Sequence, residues 1–414
     1  MKRVLFVITE RNSANGICVK SVMEELMNNG YKVFCVTNRE YRDNVYFYQN
    51  GVEFYTVRPR LSYRISSYLK TKCHYNLGDK ILNLFGYMLN KFALFFSYFY
   101  WPIISLGFTF RLMKVVGKVV RHKDIDIVVP IYTQIDSLIA AKKVKSDCPE
   151  IKIVPYFLDA FAAGFGPKLF SRAWIIKRGL RWEKYLLKDV DKIVMMQSAR
   201  PFYEQKRNDI EYFDKIQFID LPLFNPVNSY KRTKYADTEI KMLYVGSIPV
   251  HIRNPKFFLD AFMRTSNSSF KLQIVGTNTC SSLLTDVAKK DCRVELLGSV
   301  SHEKAIQMML EADILINFGN NNSMMTPSKI FEYMSVGKPI ITTAPIEDEP
   351  SLKYLKYYPS CLVLYEQKMD KDEASEKIED FVKKHKDRVC NMYELKEQFY
   401  LNTPRAFLEI INVL

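Results

Sequence analysis

Apolar runs and amphipathic stretches alternate along nearly the whole chain. VLFVIT (4–9) is a continuous apolar run, the pattern of a strand buried on both faces. Asn15-Gly16 predicts a loop, followed by an amphipathic helix over about 17–28 that ends near Gly30. KVFCVTN (32–38) and VEFYTVRP (52–59) predict the next strands, and strand, helix, strand at this spacing predicts a right-handed parallel unit. The pattern resumes with DIVVPIY (126–132), a helix from about 136, IKIVPYFLDA (151–160), a basic helix over about 170–188, and DKIVMMQS (191–198).

LPLFNPVNSYKRTKYADTEI (221–240) has two Pro, many polar residues and no period, and predicts a linker. A second series follows: strands at 240–247, 270–276, 293–298, 313–319, 339–343 and 361–365, with helices at 255–265, 281–289, 302–311 and 326–337 between them. Two such series in 414 residues predict two α/β domains with parallel sheets. The boundaries read 1–222, 223–395 and a last helix, 396–414, crossing back to the first domain.

Residues 60–123 break the pattern. Phe92 to Phe110 is 19 residues without a formal charge, bounded by Lys91 and Arg111, which is near the length of a membrane span. A span would put strands of one sheet on opposite sides of a bilayer, and Pro102 with the aromatic run FALFFSYFYW suits an interface better. The order of preference is interfacial or bilayer-dipping helices, then a buried core helix, then a span.

Charge sharpens this. Residues 1–240 hold 38 Lys+Arg and 23 Asp+Glu, an excess of 15, whereas 241–414 hold 22 of each. The first half should face something anionic, a bilayer surface or nucleic acid. No nucleic-acid reader motif is visible in it. The eight Cys are scattered without CxxC or zinc spacing, the start MKRVLFVITE has too short an apolar run for a signal peptide, and a reducing cytoplasm fits both.

The candidate chemistry lies in TPSKIFEYMSVGKPIITT (326–343). Thr326 reads as an N-cap and Pro327 as the first helical residue, leaving the NH groups of Ser328, Lys329 and Ile330 at a helix start that favours anions. Glu332 sits one turn on, about 6 Å along the axis. That offset suits a diphosphate and the ribose attached to it. A solvated Glu on a surface helix has the same spacing, so spacing alone leaves both readings open.

PSKIFEYMSVGKPII resembles the donor-site signature of GT-B glycosyltransferases, in particular glycosyltransferase family 4 and related bacterial polysaccharide enzymes. YVGSIPVHIRNPKFFLDAF, LQIVGTN, VELLGSVSHEKAIQMMLEADILIN and PIITT follow in that family's order over about 240–345. The resemblance implies a GT-B fold: two Rossmann-like domains facing across a cleft, the first for acceptor, the second for donor. Glu332 matches the second Glu of the E-x7-E motif and would bind the ribose. Arg253, with Lys329, would neutralise the diphosphate as the catalytic cations, where Pro327 and Ser328 open the helix. Gly276, Thr277, Gly298 and Val300 resemble the loops beside the base. Asn320, Asn321, Asn322 and Ser323 fall where the transferred sugar would sit, and Asn15-Gly16 resembles the glycine loop of the acceptor domain. Two departures stand out: Met324 replaces the first motif Glu, and Ser247 replaces a common Arg. Tyr132, Gln134, Asp136 and Asp159 line strand ends in the first domain and read as structural.

The implied activity is transfer of a sugar from a nucleotide-diphosphate sugar, a UDP-sugar first, to a lipid-linked or glycan acceptor in bacterial surface polysaccharide or capsule assembly. It would be retaining, metal-independent and without a cofactor, at the inner face of the cell membrane. The alternatives are a catalytically silent relative that binds glycan or a partner at the membrane, and a nucleotide-sugar epimerase.

Overall fold

The computed structural model describes residues 1–69, 71–72, 76–162, 170–226, 239–323 and 327–414. The centre of the expected linker, 227–238, and the positions Met324 and Thr326 lie outside the described residues. The chain divides into two compact units, Met1–Pro222 with Leu401–Leu414, and Leu223–Tyr400.

The first unit runs β1 (Arg3–Ile8), α1 (Ala14–Asn28), β2 (Lys32–Asn38), β3 (Tyr46–Gln49), β4 (Val52–Val57), α2 (Leu61–Leu69), α3 (Leu77–Tyr100), α4 (Leu106–Lys123), β5 (Ile127–Tyr132), α5 (Asp136–Asp147), β6 (Lys152–Ile153), β7 (Tyr156–Phe157), α6 (Arg172–Leu187), β8 (Ile193–Met196), α7 (Arg200–Gln205) and β9 (Ile216–Ile219). Its sheet has the order β3-β4-β2-β1-β5-β7-β8-β9, with β6 beside β5. Every pairing is parallel except β3 with β4. Val4, Leu5, Phe6 and Val7 of β1 are fully buried, as a central parallel strand covered on both faces requires.

Two expectations for this unit are corrected. Asn15 and Gly16 are not a loop but lie in the first turn of α1, because Ser13 caps the helix by accepting from the Gly16 NH at 3.2 Å. The single strand expected over 151–160 is split into β6 and β7 around Pro155, which has no NH to give. The uncharged stretch 92–110 takes in parts of two helices. It holds the end of α3, a buried turn at Trp101 and Pro102, and the start of α4, which Ser105 caps. Among the described residues no helix is long and apolar enough to cross a membrane.

The second unit runs β10 (Ile240–Val245), α8 (Lys256–Met263), β11 (Phe270–Val275), α9 (Ser281–Lys290), β12 (Val294–Gly298), α10 (His302–Glu311), β13 (Ile314–Asn317), α11 (Lys329–Ser335), β14 (Ile340–Ala344), α12 (Leu352–Leu355), β15 (Cys361–Tyr365), α13 (Lys371–His385) and α14 (Met392–Gln398). Its sheet is wholly parallel in the order β12-β11-β10-β13-β14-β15. Met242, Tyr244, Phe258, Phe262, Ile316 and Phe318 belong to its core, and the Tyr244 and Phe318 rings stack with centroids 4.4 Å apart. The final helix, α15 (Pro404–Asn412), belongs to the first unit. There Phe407 packs on Phe6 and Tyr156, and the Tyr31 hydroxyl donates to Asn412 Oδ1 at 2.7 Å.

Candidate functional site

The strand order of the second unit reverses between β10 and β13. In open α/β sheets ligands bind outside the carboxyl ends of the strands at such a point. Arg253 lies there, in the loop after β10. Its Nε donates to Asn320 Oδ1 at 3.0 Å, and its Nη1 donates to the Ser247 carbonyl at 3.0 Å and the Tyr244 hydroxyl at 3.2 Å. Asn320, just past β13, is itself held: its backbone NH donates to Glu349 Oε1 at 3.2 Å. Glu349, after β14, is 1% exposed and accepts from the Ser351 NH at 2.8 Å and the Ser351 hydroxyl at 3.1 Å. Burial pushes the Glu349 carboxyl above its ordinary pKa, against those hydrogen bonds and the Arg253 charge. The named contacts of Arg253 are thus with neutral oxygens. Glu349 is joined to Arg253 through Asn320 and also interacts with its charge directly.

Glu332 comes from α11, which lies between β13 and β14 in the chain. Tyr333, the next residue, is buried, and its hydroxyl accepts from the Val245 NH at 2.7 Å and donates to the Val245 carbonyl at 3.1 Å. That pair registers α11 against the end of β10, two residues before the carbonyl that holds Arg253. Ile330, Phe331 and Met334 are fully buried, so Glu332 falls on the open side of the helix. Its Oε2 accepts from Lys329 Nζ at 2.6 Å and lies 3.9 Å from His302 Nδ1.

The helix start differs from the expectation. Ser328 is the cap residue, without a side-chain cap bond, and helix geometry begins at Lys329 rather than Pro327. The Ile330 NH is already spent on the Pro327 carbonyl at 3.2 Å, so it is not a free donor. Pro327 is buried and Ser328 exposed. Gly337, at φ +70°, turns the chain out of the helix.

The remaining expected residues are distributed as follows. Gly276 follows β11, and a Cβ there would stand 2.0 Å from the Gly246 carbonyl oxygen at φ +130°, so only Gly fits this close approach. Its NH donates to the Gly298 carbonyl at 2.7 Å, tying the ends of β11 and β12. Thr277 and Gly298 are exposed and Val300 half-buried. Asn320 is 3% exposed, so it faces Arg253 and Glu349 rather than open solvent. Asn321 bonds to the His251 and Ile252 carbonyls, and Asn322 and Ser323 are exposed. In the first unit Asn15 Nδ2 donates to Asp159 Oδ2 at 2.9 Å, and Gly16 lines a cavity of about 220 Å³ with Arg11, Asn12, Lys20 and Gln49. Asp136 is 1% exposed and accepts from Thr109, while Tyr132 packs among Phe157 and Phe161. Among the described residues no group of three or more His, Cys, Asp or Glu could hold a metal ion.

Sequence reasoning missed Glu349, Tyr244 and Tyr333. The one signal for Glu349 was an acid just before Pro350, beyond the strand PIITT. Nothing in the sequence marked the two tyrosines, whose hydroxyls meet strand ends through packing.

Residues 239–351 match a family model described as glycosyl transferases group 1. No curated protein matches the chain. Among solved structures it is similar to Anabaena HepE in complex with UDP-glucose, at 13% identity and TM-score 0.57, with 100% of both chains covered. It is also similar to sucrose-phosphate synthase from Thermosynechococcus elongatus, at 13% identity and TM-score 0.54, covering 100% of this chain and 95% of that one. A third similar structure is the lipopolysaccharide outer core galactosyltransferase WaaB, at 13% identity and TM-score 0.50, covering 100% and 99%. These likenesses show the fold: two Rossmann-like α/β units of the GT-B class. The chain resembles the bacterial GT-B glycosyltransferases, and the family match and fold together support glycosyltransferase activity.

Proposed function

We propose that the chain moves a sugar from a nucleoside-diphosphate sugar, a UDP-sugar first, to a lipid-linked or glycan acceptor in bacterial surface polysaccharide assembly. The observation that carries this reading is the Arg253–Asn320–Glu349 chain at the switch point, in one unit with Glu332 on a helix that Tyr333 pins to the same strand. A UDP-glucose complex and a galactosyltransferase among the similar folds support the donor class.

In the proposed reaction the bond from the anomeric carbon to the phosphate oxygen breaks and its electron pair goes to the leaving diphosphate. The acceptor oxygen forms the new bond and gives up its proton, which the leaving phosphate takes. Negative charge grows on the diphosphate, so the catalytic requirement is a fixed positive field aimed there. Arg253 supplies it. Glu332 accepts from the two ribose hydroxyls, and Lys329, now paired with Glu332, turns to the diphosphate when the donor enters. The reading assigns the charge to these side chains without a metal ion, retains configuration at the sugar, and places the reaction at the inner face of the membrane. The whole of unit one, Met1–Pro222 with the returning helix, is assigned to the acceptor.

The test is incubation of the purified chain with UDP-sugars and lipid-diphosphate-linked saccharides, reading nucleotide release and product mass. Acceptor-dependent release with a product one sugar heavier supports the proposal. A chain that binds the donor yet transfers nothing to any acceptor is the silent relative instead.

A further inference from the structure

α3 packs one side on α2. Gly86 comes so close that a Cβ there would stand 2.9 Å from Ile65 Cγ2. Near its end Tyr98 meets the Phe170 ring, with centroids 6.1 Å apart. Leu84, Phe85, Met88, Phe92, Phe95 and Phe99 are 48–76% exposed, and the ring of Phe95 meets those of Phe96 and Phe99 edge-on. At the helical rise these side chains extend over about 22 Å. Scattered exposed apolar residues are ordinary, but a continuous run of this length marks a surface that another apolar phase covers.

Charge decides what covers it. Between Asp79 and Asp124 the chain has seven Lys or Arg and no Asp or Glu. A second copy docking through this face would set cation against cation, Lys123 excepted, which pairs with Glu53 at 2.8 Å. An anionic bilayer offers acyl chains to the aromatic face and headgroups to the cations around it. Lys91 and Lys114 suit that boundary, with Nζ 5.3 Å from the Tyr87 ring and 4.6 Å from the Phe110 ring. α3 and α4 are separate helices joined by a buried turn, so the contact is in the plane of the interface and not across it.

We infer that α3 is an in-plane anchor that immerses Leu84, Phe85, Met88, Phe92, Phe95 and Phe99 in an anionic lipid surface. The inference deepens the membrane-surface setting proposed above, and rests on that setting but not on the donor chemistry.

The experiment is co-sedimentation of the full chain with vesicles of phosphatidylglycerol and phosphatidylethanolamine, and with vesicles of phosphatidylcholine alone. The wild type should bind the anionic vesicles and bind phosphatidylcholine weakly. Phe92→Ser/Phe95→Ser/Phe99→Ser should reduce binding by at least about tenfold while thermal stability and nucleotide affinity stay unchanged. Should the triple variant fail to fold, Phe99→Ser alone serves, as that side chain is 76% exposed. Failure of the wild type to bind anionic vesicles overturns the inference, as does equal binding by a folded variant. So does a concentration-dependent dimer in sedimentation velocity that the variant abolishes. A chain that binds vesicles but no nucleotide sugar would sink the proposed function and leave this inference standing.

Discussion

Arg253 is gripped by a carbonyl, a phenol and an amide oxygen, all neutral groups. A directly paired guanidinium would have much of its field cancelled, and the proposed function needs that field for the donor diphosphate. Arg253→Ala should therefore lower turnover by about 10²–10³-fold, the size of effect seen when a transition-state charge donor is lost. Arg253→Lys should recover little, because an ammonium cannot reproduce the fork that reaches Asn320 and Ser247 together. Steady-state kinetics on both variants check this. Glu332→Ala should weaken nucleotide binding by about 10–100-fold, as expected for hydrogen bonds to a charged acceptor. Titration calorimetry with UDP reads that loss. Arg253 and Glu332 stand out as candidates in the sequence because each sits in a short local motif. Asn320, Glu349 and Tyr333 owe their roles to partners 29–88 residues away, and no local pattern writes such distances into the sequence.

Elements were legible where an apolar run or a clear period defined them. All six strands of the second unit fall within a few residues of the apolar runs that predicted them. What escaped was short or exposed. β3 has four residues and no buried face, so it showed no alternation. The start of α1 hinged on a Ser13 cap overlooked beside Asn-Gly. Two elements give tests of their own. Gly276→Ala must move either the Gly246 carbonyl or the β11 turn, and should cost at least about 2 kcal/mol of stability together with most nucleotide binding. Thermal unfolding and UDP titration read the two losses. Glu183 of α6 is fully buried and accepts from the Tyr203 hydroxyl, the Tyr212 hydroxyl and the Ala162 NH. Burial raises its pKa despite those bonds. A raised carboxyl pKa means the folded state holds the proton more tightly than the unfolded chain. Its contribution is full below the ordinary carboxylate range and is lost as pH rises through that range to the raised value. Glu183→Gln should lack that fall, seen as a flatter unfolding free energy against pH. Glu183→Ala should destabilise by about 3 kcal/mol, since it leaves buried phenols without an acceptor.

At the scale of the whole molecule the two units differ in charge and in probes. The positive excess lies entirely in residues 1–240, and all three Trp, at 101, 174 and 182, belong to the first unit. Tryptophan fluorescence therefore follows the first unit, while circular dichroism follows both. Saturating UDP should raise the transition seen by circular dichroism more than the one seen by tryptophan, because a ligand stabilises the fold that binds it. The charge asymmetry was legible in the sequence and pointed to an anionic partner for the first unit; the exposed face of α3 is what favours a lipid surface in the inference drawn above. The account stands or falls on whether the second unit holds a nucleotide diphosphate through Arg253 and Glu332. The direct measurement is a thermal-shift screen of nucleotides and nucleotide sugars against the wild type, Arg253→Ala and Glu332→Ala. The account predicts that a nucleoside diphosphate stabilises the wild type and shifts either variant far less. No stabilisation of the wild type by any nucleotide, or equal shifts in all three proteins, would contradict it.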